Sequence, residues 1–126
     1  MRNSDTNDLN NIENFDSENF AWVAELNLAI TVTDLDDNII YANEKSKSTF
    51  PDMRIGDNLH HCHQKSSNEI IRRLKDENTS NTYTVQKNGI KKLIHQTPWY
   101  LGGKVSGLVE FSIELPAEME HRNRDA

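Results

Sequence analysis

Leu28-Ala29-Ile30-Thr31-Val32-Thr33-Asp34-Leu35-Asp36-Asp37-Asn38-Ile39-Ile40-Tyr41-Ala42-Asn43 is the stretch that decides the fold. Its first six residues alternate and are rich in β-branched side chains, which suit a pleated, half-buried strand. Asp34 to Asn38 are turn formers, because Asp and Asn side chains bond their own backbone a few residues on. Ile39-Ile40-Tyr41-Ala42 then returns as a second strand, and the two make a hairpin. Asp34, Asp36 and Asp37 resemble a cation loop, but the turn accounts for them. Asn43 is a helix cap, opening a short helix over Asn43-Glu44-Lys45-Ser46-Lys47-Ser48 that Pro51 brings to an end.

Upstream of the hairpin, Phe20, Val23 and Ala24 share one helical face, with Trp22 and Leu26 beside it. Asp16 or Ser17 can cap this helix, and Glu18 suits its positive first turn. Residues 1–15 are an acidic, Asn-rich lead-in with too little apolar material to order itself. Downstream, Gly56-Asp57 turns the chain into a helical middle carrying Leu59 and Cys62. A helix from Ser67 to Lys75 follows, with a capping serine and Ile70 one turn before Leu74. Three strands come next: Asn81 to Gln86, Ile90 to Trp99 and Val105 to Leu115. Lys87-Asn88-Gly89 joins the first two, since Asn-Gly accepts positive φ, and Leu101-Gly102-Gly103-Lys104 joins the last two. Residues 117–126 form a charged tail. The domain is therefore 16–116, an α+β arrangement of one five-stranded antiparallel sheet with short helices on one face.

The 126 residues suffice for one modest core. Fourteen Lys and Arg against 20 Asp and Glu leave a net charge of −6, which argues against nucleic acid and against anionic membrane surfaces. The single cysteine excludes an internal disulfide and a zinc site built on several thiolates. No apolar run approaches the roughly 20 residues that span a bilayer, and the N-terminus lacks the apolar core of a secretory signal. These features predict a cytoplasmic protein. No Gly-rich phosphate loop, serine elbow or suggestively spaced carboxylate pair is present, so the expectation is a non-enzyme.

Asp34-Leu35-Asp36-Asp37-Asn38-Ile39-Ile40-Tyr41-Ala42-Asn43 in the first hairpin resembles the turn of a PAS domain. Gly103-Lys104-Val105-Ser106-Gly107-Leu108-Val109-Glu110-Phe111-Ser112 looks like that family's last strand, and the resemblance extends over residues 19–116. Cys62-His63, Thr82 to Ile94 and Gln96-Thr97-Pro98-Trp99-Tyr100 are similar to small stand-alone bacterial PAS sensor proteins. The light-oxygen-voltage branch is excluded, because Leu59 stands where its flavin-bonding cysteine belongs. The resemblance implies a cup closed by sheet and helices that, in different members, holds haem, flavin, an organic acid or nothing. It implies a sensory module. With no transmitter segment after residue 116, output is expected through a homodimer or a signalling partner. The cofactor, if any, is left unassigned.

Asn58-Leu59-His60-His61-Cys62-His63-Gln64 holds the densest reactive side chains. On a helix only His60 and His63 share a face, so a metal or haem centre is short of ligands, and Cys62 serves equally as a small packed residue. A redox or metal-responsive module acting through Cys62 and these histidines is the alternative function, and a ligand-free interaction domain is another. Between Ile90 and Trp99, His95, Thr97 and Trp99 share one face while Ile94, Gln96 and Pro98 share the other; periodicity leaves open which is concave. A small cavity is expected between helices and sheet, opening near Leu59 to Ser67, since ligand sites are apolar hollows with a few polar groups. Its candidate walls are Val32, Tyr41, Leu59, Ile70, Leu74 and Tyr83. Cys62, His63, His95, Gln96 and Trp99 are the candidate polar contacts. The homodimer is expected to use the Phe15–Leu26 segment and the sheet's outer face.

Overall fold

In the computed structural model, which describes residues 20–59 and 65–125, the first hairpin forms from β1 (Ala29–Asp34) and β2 (Ile39–Ala42). The Asp34 carboxylate organises the turn, accepting from the backbone N–H of Asp36 (3.0 Å) and Asn38 (2.9 Å) and from Asn38 Nδ2 (3.2 Å). Asp37 takes φ of +66°, a left-handed conformation that Asp tolerates. Asp34 thus serves the backbone, as its type predicts.

Asn43 ties three elements together. Its Oδ1 accepts from Ser46 N (3.1 Å) as the cap of α2 (Glu44–Thr49) and from Ile30 N of β1 (3.0 Å). Its Nδ2 donates to Val23 O of α1 (Ala21–Ala24, 3.2 Å) and to Leu28 O (2.9 Å). α3 (Lys65–Glu77) begins two residues before the expected Ser67 cap. It turns Ile71 and Leu74, not Ile70, toward the sheet, where both pack with Leu108 and Leu59. Adjacent residues on a helix point about 100° apart, so only one of Ile70 and Ile71 can face inward; Ile70 is exposed.

β3 (Asn81–Lys87), β4 (Ile90–Leu101) and β5 (Lys104–Glu114) form the expected meander. β5 pairs with β1, giving one antiparallel sheet in the order β2-β1-β5-β4-β3. Register fixes the two faces. Thr31, Glu110 and Gln96 align across the three central strands, as do Thr33, Leu108 and Pro98, and these residues look toward α2 and α3. Ile30, Val32, Val109 and Trp99 look the other way, where they pack with Tyr41 and with Val23 of α1. Among the described residues no helix is long and apolar enough to cross a membrane.

The end of α3 is anchored to the hairpin tip. Lys75 Nζ donates to Leu35 O (2.8 Å) and pairs with the Asp37 carboxylate, and both side chains are nearly buried. Breaking a buried pair leaves a desolvated charge behind. Lys75→Met is therefore expected to cost about 3 kcal/mol in urea unfolding; a loss below about 0.5 kcal/mol, the range of ordinary surface changes, would show that the pair contributes nothing.

Candidate functional site

A cavity of about 450 Å³ lies between the sheet and the helical side of the domain. Thr31, Thr33, Ile39, Gln96, Leu108 and Glu110 form its sheet-side floor, Ile71 of α3 one wall, and Thr49 to Met53 with Leu59 the opposite wall. The second wall follows from local sequence. Pro51 ends α2, and Met53 N donates to Phe50 O (3.0 Å) in the turn that follows. Gly56, at φ of +97°, lets the chain reverse so that its N–H reaches Ile39 O (2.7 Å), while Ile39 N donates to Asp57 O (2.8 Å). Leu59 N donates to Asp37 O (2.8 Å). These bonds pin the loop to β2 and set Leu59 over the hollow.

The floor is polar and mostly occupied by its own bonds. The Thr31 and Ser46 hydroxyls share a hydrogen bond, and Thr33 Oγ1 donates to Leu108 O (3.2 Å). Asn81 Nδ2 donates to Gln96 Oε1 (3.2 Å), and Gln96 Nε2 donates to Glu110 Oε2 (3.0 Å). The buried Gln96 amide is thus engaged at both ends, and the relay terminates on a carboxylate in the cavity. Glu110 forms no ion pair with any described residue.

Burial pushes the Tyr83 phenol above its ordinary 10, and the Glu110 charge adds to the shift. A raised pKa means that the folded state holds the proton more tightly. The associated stability is present below pH 10 and is lost as pH rises through the folded value. Phenolate absorbance in a pH titration of a variant lacking the other tyrosines is expected to rise later than that of free tyrosine, and Glu110→Gln to bring it partly back. A midpoint at or below the free value would overturn this.

Of the residues picked from sequence, Leu59 and Gln96 line the cavity. Leu74 lies in the core cluster beneath it with Ile71 and Leu108. Tyr83 shares the face of Ile94, toward the sheet edge, and Ile70 points to solvent. Val32, Tyr41 and Trp99 are not cavity walls; strand parity puts them on the opposite face in the Val23 cluster. His95 lies on that face too, its Nδ1 bonded to the Thr82 hydroxyl (2.7 Å) and its ring 6.4 Å from that of Phe111. Cys62 and His63 lie outside the described residues, among which no cluster of three or more metal-ligating side chains occurs. Glu110 was missed. Its signal was a charged residue in a central strand, within Leu108-Val109-Glu110-Phe111-Ser112, where an apolar side chain is ordinary.

No family model matches the chain, and no curated protein matches it in sequence. Solved structures do match. The PAS domain of a protein from Colwellia psychrerythraea is 21% identical over 73% of this chain and 89% of its own, with a TM-score of 0.52. A sensory box sensor histidine kinase structure from Vibrio cholerae is 14% identical over 89% and 98%, with a TM-score of 0.56. VqmA of Vibrio cholerae is 19% identical over 79% of this chain, with a TM-score of 0.63; the chain spans about half of VqmA's length, 51%. VqmA has been solved bound to DPO and in a complex with ligand and DNA. Sheet order, helices and these likenesses together give the chain a PAS-like fold.

Proposed function

We propose that this domain is a sensory module that binds a compact small molecule in the cavity above Gln96 and Glu110. The cavity itself carries the reading. Its volume of about 450 Å³ falls within the range of roughly 300–1,000 Å³ usual for ligand sites, and its apolar walls with few polar groups are what such sites use. A ligand-free interaction domain has no need of a hollow in its core. Ligand-bound VqmA lends the reading support by likeness of fold.

The experiment is native mass spectrometry on protein purified from its own host, followed by thermal shift against a panel of small metabolites. A bound mass, or a panel compound that raises the melting temperature, is expected. Met53→Trp, which fills the hollow from its loop side, is expected to abolish either signal. A ligand bound equally well by Met53→Trp would place binding elsewhere and sink the reading.

Output in this proposal passes through a second copy of the chain docked on the sheet's outer face. Trp22 supports it: one turn of helix holds Val23 buried while Trp22 stands 70% exposed beside it, and Trp is among the side chains enriched in protein interfaces. Sedimentation velocity at high micromolar concentration is expected to show a dimer. Trp22→Ala is expected to weaken that dimer more than it unfolds the domain, with the melting temperature compared at a dilution where both proteins are monomeric. A monomeric parent protein would end this part of the proposal.

A further inference from the structure

We propose that the cavity selects a compact amine, a ligand with an apolar body and a protonated nitrogen that docks on the Glu110 carboxylate. The inference rests on the cavity being a ligand site and specifies its chemistry.

Charge carries it first. The described residues that line the hollow include two carboxylates, Glu110 on the floor and Asp52 at the rim, and no Lys, Arg or His. An anionic ligand entering this space would meet like charge with no cation opposite it among the described residues, and like charges at contact are unfavourable.

Hydrogen-bond direction carries it second. Asn81 donates to Gln96, and Gln96 donates to Glu110, so the relay points its donors at the carboxylate and commits one of the two Gln96 amide N–H groups to it. The Thr31 and Thr33 hydroxyls are engaged within the protein. Among the described residues Glu110 accepts one hydrogen bond, on Oε2, and an ionised carboxylate offers about four lone-pair sites on its two oxygens. What Glu110 presents is therefore acceptor capacity that calls for a donor, and a charged N–H donor makes the strongest such bond. Ile39, Phe50, Met53, Leu59, Ile71 and Leu108 supply apolar contact for the rest of the molecule.

The test uses three near-isosteric probes at neutral pH: 3-phenylpropylamine, 3-phenylpropanol and 3-phenylpropanoate, titrated into the full chain by calorimetry. The amine is expected to bind about tenfold more tightly than the alcohol, with the carboxylate weakest. Glu110→Gln keeps the shape and an acceptor for Gln96 Nε2, and is expected to remove the amine's advantage over the alcohol. Alcohol or carboxylate binding as tightly as the amine to the parent protein would overturn the proposed selectivity, a result that needs no variant to fold. If those probes lose affinity in Met53→Trp, the cavity remains the ligand site and only the amine assignment falls. Amine binding that survives both Glu110→Gln and Met53→Trp would refute the selectivity and the site together.

Discussion

Replacing Asn43 with alanine is expected to destabilise the domain by about 4 kcal/mol, near the upper end of single-residue effects. The side chain is 1% exposed and all of its amide capacity is used, with two bonds accepted on Oδ1 and two donated by Nδ2. Alanine removes the α2 cap and leaves Ile30 N and Leu28 O short of the amide partner they have now, where an unmet group costs about 1–3 kcal/mol, while Val23 O keeps the Leu26 N–H. Asn43→Asp is a sharper version, since it keeps the cap oxygen but turns a second oxygen toward the Val23 and Leu28 carbonyls. It is expected to be as damaging as alanine, although aspartate is as good a cap as asparagine on an exposed helix. Urea unfolding of both variants checks this. An aspartate variant within about 1 kcal/mol of the parent, the value of a cap alone, would show that Asn43 acts only on α2.

Gly107→Ala is expected to be the most damaging single methyl group that can be added to the fold. Gly107 has φ of +155°, and a Cβ there would stand 1.9 Å from Thr33 O and 2.6 Å from Trp99 Nε1. Both atoms are committed to each other, because Trp99 Nε1 donates to Thr33 O at 2.8 Å across the glycine. Making room would part β1 from β5 and break the register shift of β4 between Trp99 and Tyr100. A loss above about 4 kcal/mol is expected, comparable with the whole stability of a marginal domain. Gly103→Ala is the control. Its φ is +79°, but nothing lies within 4 Å of the added carbon, so only the backbone penalty of about 1–2 kcal/mol remains. Circular dichroism melts compare the two, and a Gly107→Ala protein that melts with the Gly103→Ala protein would refute the clash.

The hairpin was legible because its signals are local. Alternation over Leu28 to Thr33, the turn acid Asp34 and the Asn43 cap each act within a few residues, and the structure uses them so. The Asn88-Gly89 turn and the meander were readable on the same ground, with Asn88 and Gly89 both at positive φ. The α3 face was misread because two adjacent isoleucines offer two equally apolar stripes, and packing on Leu108 chose Ile71.

Sequence by itself determined the order of elements, the antiparallel pairing and the PAS-like class, since each depends on period-two alternation and short connections. Tertiary structure alone decided which side of the sheet is concave. A strand's two faces are equivalent until something packs on one of them. α1 covers Val32 and Tyr41, while α2, α3 and the Thr49–Met53 turn close over Thr31, Gln96 and Glu110. That single parity moves Val32, Tyr41, His95 and Trp99 away from the cavity and brings Glu110 into it. The cause is long-range, because β5 lies some 70 residues from β1 along the chain yet fixes its register beside it, pairing Val109 with Val32 and Glu110 with Thr31.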